Sequence, residues 1–218
     1  MQKFTKTTRT LAALLVSGTA LTGVASAAEI TGNVGATTDY IWRGNVQGSG
    51  GASLSGGIDI DFGNGLAAGT WVGTLGDSDT SANYEQDLYV SYSTEIAGYP
   101  LEVGYISYMY PGVADSADDF EDFYVSTSVA GIGISYYMLV SAESATMDAD
   151  EGTYLSVDYD YELDDGWTMS LHYGMESFDN SEDDEDTSIS LSKGDMTFTV
   201  SGDEGDDTRA IVSWGASF

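Results

Sequence analysis

The sequence has no cysteine, two prolines, one histidine and six basic residues among 218. Without cysteine there is no disulfide framework and no thiolate chemistry. Pro100 and Pro111 both fall where a strand should end, as expected of a residue that cannot donate to a sheet ladder. His172 has Ser170 and several acids near it in sequence, but no nucleophile motif accompanies it, so nothing points to covalent catalysis. No cofactor and no enzymatic activity are implied.

Basic residues are scarcer still once the start of the chain is set aside. Lys3, Lys6 and Arg9 precede the apolar run "LAALLVSGTALTGVA", and small residues at Ala25 and Ala27 follow. This is the pattern of a cleaved secretory signal peptide over residues 1–27. The remainder keeps Arg43, Lys193 and Arg209 against 36 acids, a balance of −33. Such a chain does not bind nucleic acid, which needs basic patches, and has no basic face for anionic head groups. Its acidity attracts cations, and is equally a device of salt-adapted proteins. Long apolar runs are also missing. A membrane helix needs roughly 20 apolar residues, whereas "VAGIGISYYMLV" at 129–140 is short and broken by glycine, serine and two tyrosines.

What remains reads as strand almost without pause. Twelve segments are expected at about 30–46, 51–62, 66–75, 84–97, 101–110, 119–130, 132–143, 153–163, 167–178, 186–193, 195–203 and 208–218. Most alternate with period two. In the first, Ile30, Val34, Ala36, Tyr40 and Trp42 oppose Thr31, Asn33, Asp39 and Arg43. In the eighth, Leu155, Val157, Tyr159 and Tyr161 oppose Ser156, Asp158, Asp160 and Glu162.

Connections alternate too. Short ones ("GNG" at 63–65, "GYP" at 98–100, Gly131, "DDG" at 164–166, Gly194) interleave with longer polar ones. Short turns at one end and longer loops at the other are the habit of outer-membrane barrels, where charged residues face water and apolar ones lipid. The acidic stretch "DNSEDDED" at 179–186 lacks the glycine and spacing of an EF-hand loop and reads as a solvated loop. Trp42, Tyr84, Tyr108, Tyr110, Trp167 and Phe218 fall toward segment ends and are candidates for interfacial girdles.

The stretch Asn33-Val34-Gly35, Thr38-Asp39-Tyr40, Trp42 and Arg43-Gly44, followed by "GGIDIDF", "GLAAGTW" and "EQDLYVSYS", resembles the TorF-type porins, Gcw_chp-type outer-membrane proteins of proteobacteria. The likeness covers about 33–110, and the loops here are more acidic than that pattern. It implies a passive pore without naming a substrate. Barrels of this kind commonly end in an aromatic that the assembly machinery reads, which implies that role for Phe218, with Trp214 on the same strand face.

The expectation is therefore an all-β protein: residues 28–218 as an antiparallel transmembrane β-barrel of about 12 strands in the bacterial outer membrane. At roughly 4.8 Å between strands and a tilt near 40°, the backbone radius is about 12 Å. Small inward residues such as Gly35, Gly57, Ser91, Gly104, Ser126 and Ser156 favour a water-filled lumen. The expected pore lining includes Asp39, Arg43, Glu85, Asp87, Glu95, Glu102, Asp122, Asp158, Asp160, Glu162 and Arg209. Acidic rings favour cations, so the partners are membrane lipid and small hydrated solutes or cations. Arg43 and Arg209, on strands adjacent at closure, are expected to form a basic spot in the mouth, with Arg43 paired to a neighbouring strand. The alternative is a closed structural or surface-recognition barrel whose acidic loops bind ions or partners.

Overall fold

The computed structural model describes residues 28–48, 50–75, 82–111, 119–142, 152–178, 182–203 and 208–218. The signal peptide read over 1–27 and part of the acidic stretch at 179–186 lie outside them. The strands are β1 (Glu29–Thr37), β2 (Ile41–Trp42), β3 (Asn45–Val46), β4 (Ser53–Asp61), β5 (Leu66–Thr74), β6 (Tyr84–Ile96) and β7 (Tyr99–Met109). They continue as β8 (Phe120–Val129), β9 (Ile132–Ala142), β10 (Gly152–Glu162), β11 (Thr168–Phe178), β12 (Asp184–Lys193), β13 (Met196–Asp203) and β14 (Arg209–Ser217).

All but β2 and β3 form one closed antiparallel barrel of twelve strands, each beside its sequence neighbour. Closure joins the two ends of the chain. β1 pairs with β4 from Glu29↔Asp61 to Thr37↔Ser53, and with β14 from Asn33↔Ser217 to Thr37↔Ser213. Phe218 and Gly32 extend the seam by exchanging backbone hydrogen bonds of 2.8 and 2.9 Å. Closing the sheet removes every exposed edge, which an open sheet in an apolar medium could not satisfy.

Short turns at one rim set the register. Ala97-Gly98 and Ala130-Gly131 both place two successive residues at positive φ (54° and 86°; 54° and 85°). That is the geometry of two-residue hairpins whose twist matches the strands. The alternation then sorts side chains. Leu54, Ile58, Leu88, Val90, Ile134, Leu171, Ile189, Phe198 and Val200 point outward and are exposed, while Ser91, Ser135, Ser156, Thr199 and Ser213 between them are buried inside.

The first segment departs from expectation. β1 stops at Thr37, and residues 38–46 leave the wall instead of extending it. Within them β2 and β3 pair as a separate hairpin, Ile41↔Val46 and Trp42↔Asn45. Arg43 and Gly44 form its tip, again with two positive φ values, 48° and 80°. The Arg-Gly pair is a turn, and period-two alternation cannot distinguish a continuing strand from a hairpin arm.

Candidate functional site: a hairpin across the bore

The hairpin folds into the barrel. Thr38 N–H ties its base to the wall, donating to the Val212 carbonyl at 3.0 Å, and the Asp39 carboxylate accepts the Gly51 N–H at 2.9 Å, joining the two ends of the segment. From there each residue reaches a different part of the interior. The Tyr40 hydroxyl donates to Glu85 Oε1 at 3.2 Å on β6, and its ring packs on Trp71 of β5, 5.4 Å between centroids. Trp42 meets Tyr108 of β7 and Phe120 of β8 edge-on, at 5.8 and 5.6 Å. At the tip, a Cβ on Gly44 would lie 2.5 Å from Asp186 Cβ on β12 and 3.3 Å from Asp203 Cβ on β13. The segment thus bridges the bore from β5 round to β13.

Arg43 is the anchor. Its Nη2 donates to Asp122 Oδ2 at 2.6 Å and its Nη1 to Glu176 Oε1 at 3.1 Å, with only 10% of the side chain exposed. The guanidinium carbon also sits 4.2 Å from the Trp42 ring centre, 4.5 Å from Tyr154 and 5.1 Å from Tyr137. A planar, weakly hydrated cation that both forks to carboxylates and stacks on rings suits this slot better than an ammonium would. Its partners stand on β8 and β11, not on β14 or β4, the strands beside β1. Arg43 and Arg209 therefore make no shared basic spot. Arg209, on β14, lies 3.9 Å from Asp39 and is 39% exposed.

Beside this anchor lies a second polar group. His172 Nδ1 is 2.7 Å from Asp158 Oδ1, and Nε2 is 2.9 Å from Asp186 Oδ1 and 3.0 Å from the Tyr154 hydroxyl. The Tyr154 hydroxyl donates to Asp186 Oδ2 at 2.9 Å, so the ring that stacks on Arg43 is tied to the carboxylate under the hairpin tip. Asp186 was not among the expected lining residues. It is in phase with Ser188 and Ser190, two and four residues on along β12, so the alternation of that strand carried the signal. Among the described residues no group of three or more His, Asp or Glu is arranged to hold a metal ion.

The expected lining divides into two zones. Glu85, Asp87 and Asp122 face inward as expected, but they are sealed, at 1%, 0% and 1% exposure. Asp87 lies between Trp71 and Tyr108 across its two neighbouring strands, and Tyr40 caps Glu85. These acids do not line water, because the hairpin and its aromatic partners cover them. Glu102 is also enclosed, accepting from Ser93 at 2.6 Å and Tyr124 at 2.8 Å. Toward the short-turn rim the interior is small and hydroxylated. Ser126 bonds Ser135 and Ser190 bonds Thr199, each at 2.8 Å. Here Glu95, Asp160 and Glu162 are exposed, Asp160 accepting from Ser170 at 2.7 Å and Glu162 from Thr168 at 3.2 Å.

Two further expectations change. Trp42 and Tyr108 are interior, not girdle residues, and Tyr110 packs against the same internal cluster of Ile106, Tyr108, Phe120, Tyr124 and Leu139. Nor are Gly69 and Gly104, on the inner face, open space. The Tyr89 ring lies over Gly69 and the Tyr124 ring over Gly104, each pair directly opposed across two strands. The Tyr89 hydroxyl in turn donates to Asp59. The glycine is small because a tyrosine lies flat on it. At the seam, Phe218 is 80% exposed, with its ring edge over Gly32, and Trp214 points outward between Ala36 and Met196.

The barrel resembles solved outer-membrane proteins in fold. One, "KdgM porin", aligns with a TM-score of 0.57 at 12% identity, over 86% of this chain and 98% of that one. A second, "KdgM porin in complex with disordered oligogalacturonate", aligns at 0.56 and 9% identity over 87% and 98%. Comparison with curated proteins finds no match. A family model described as "Bacterial protein of unknown function (Gcw_chp)" matches residues 21–208, a description that carries neither a function nor the TorF label. With most of its length so matched, the chain belongs to the Gcw_chp family.

Proposed function

We propose that the chain is an outer-membrane, porin-like channel of the TorF type that passes small solutes by diffusion and prefers cations. The observation that carries this reading is the wall's two faces. Apolar side chains cover the outside of a closed barrel, a surface that lipid would solvate, while carboxylates and hydroxyls are gathered on the inside beside one aromatic cluster. The likeness to KdgM in fold supports it. An oligogalacturonate is a chain of sugar carboxylates. The acids of this interior, with Arg43 and His172 already held by carboxylates, would repel such a solute. Glu95, Asp158, Asp160 and Glu162 are the residues assigned to the water-facing lining, with cation preference following from their charge. In this reading residues 1–27 direct export, and the strand ending at Trp214 and Phe218 is recognised by the barrel-assembly machinery.

The hairpin favours a second reading, a closed barrel whose loops act at the surface. Conductance separates the two. Refolded residues 28–218 in planar bilayers should give discrete current steps and a cation-selective reversal potential in a KCl gradient. Asp158→Asn with Asp160→Asn should reduce that selectivity. Inserted barrels that stay silent, even with the hairpin shortened to a glycine linker, would overturn the channel and leave the closed barrel.

A further inference from the structure

We infer that the slot filled by Arg43 is a binding site for solutes carrying a guanidinium group, with Arg43 its resident occupant. The inference rests on the channel reading for its route of access. The components belong to two separable parts of the molecule. Arg43 and Trp42 are on the hairpin, which pairs only with itself. Asp122, Glu176, Tyr137 and Tyr154 are on β8, β11, β9 and β10, within the barrel wall. Withdrawing the hairpin takes away the cation and leaves behind two carboxylates and two ring faces.

That remainder is built for one class of ligand. Asp122 and Glu176 contact two different nitrogens of one guanidinium, at 2.6 and 3.1 Å, so the planar fork is matched atom by atom. Tyr154 is held with its ring 4.5 Å from the guanidinium carbon by the bond of its hydroxyl to Asp186. Two acids surround one cation, so the slot stays net negative even when occupied, and emptying it strands buried charge. A strongly hydrated ion such as Na⁺ loses more water on entering than it regains from ring faces; guanidinium does not. A free solute reaches the slot only in competition with the tethered Arg43, which the packing of Tyr40 and Trp42 holds in place. Displacement of Arg43 would free the hairpin tip and open the bore, making the transported class its own trigger.

The test uses residues 28–218 with Arg43→Ala, with and without Asp122→Asn and Glu176→Gln, and guanidinium chloride against NaCl at equal ionic strength. Guanidinium in the millimolar range should raise the temperature at which the Arg43→Ala barrel loses its folded gel mobility. NaCl should not, and the triple variant should need a concentration at least about tenfold higher. In bilayers Arg43→Ala should conduct more than the unaltered barrel, and guanidinium should raise the conductance of the unaltered barrel where NaCl at equal ionic strength does not. If Arg43→Ala refolds poorly, its refolding yield with guanidinium against NaCl is the same test. Equal effects of the two salts on stability or yield overturn the site, whatever the currents show. Guanidinium stabilisation in a barrel that never conducts retains the site and overturns the channel.

Discussion

Gly44→Ala perturbs the hairpin without touching a charge. Gly44 has φ of 80°, and its ideal Cβ would stand 2.5 Å from Asp186 Cβ. The left-handed backbone costs alanine about 1–2 kcal/mol. Carbon atoms pack at about 3.5–4.0 Å, so the tip must also retreat by roughly 1 Å. Overpacking of that kind costs about 1–3 kcal/mol. The sum, about 2–5 kcal/mol, falls on the hairpin alone, because Gly44 takes no part in the barrel ladder. A tip that retreats draws Arg43 off Asp122 and Glu176. The expected outcome is a barrel that still shifts on heating in a denaturing gel but conducts more than the unaltered protein. Gly44→Asn separates the two causes, since asparagine tolerates positive φ yet carries the same Cβ. If both variants conduct and melt as the unaltered barrel does, the hairpin does not hold the bore closed and the reasoning fails.

Gly104→Val should displace the Tyr124 ring and its bond to Glu102, costing about 1–3 kcal/mol, read as a lower urea midpoint of the refolded barrel. An unchanged midpoint would mean that the ring relocates freely. His172→Leu leaves Asp158 and Asp186 without their shared imidazole and should cost about 1–3 kcal/mol, with His172→Gln recovering part; thermal gel-shift midpoints decide. Phe218→Ala should change the stability of refolded protein by less than about 0.5 kcal/mol, since the ring is 80% exposed. The folded, membrane-inserted fraction in cells should nonetheless fall, and an equal fraction would refute its role in assembly.

The wall was legible in the sequence because its determinants are local. Eleven of the twelve expected segments match barrel strands within two residues at each end; the first holds β1 and then the hairpin. Side-chain direction follows from period two, and the turns announce themselves through residues such as Gly98, Gly131 and Gly194. The site was legible only in composition. Arg43 stood out as one of few cations and Asp122 as an inward acid, but nothing linked them to each other or to Glu176. The two acids are 79 and 133 residues from Arg43 along the chain. The glycines misled for a related reason. A small residue on an inner face reads as space, and only the register that sets Gly104 opposite Tyr124 shows the space to be filled.

By itself, then, the sequence determined a closed, acid-lined, outwardly apolar antiparallel sheet, since alternation, turn chemistry and charge are properties of neighbouring residues. Tertiary structure decided whether residues 38–46 continue the wall or cross the bore. Both courses satisfy the same local pattern. The choice rests on a buried guanidinium finding two carboxylates and two tyrosine rings that only barrel closure brings together.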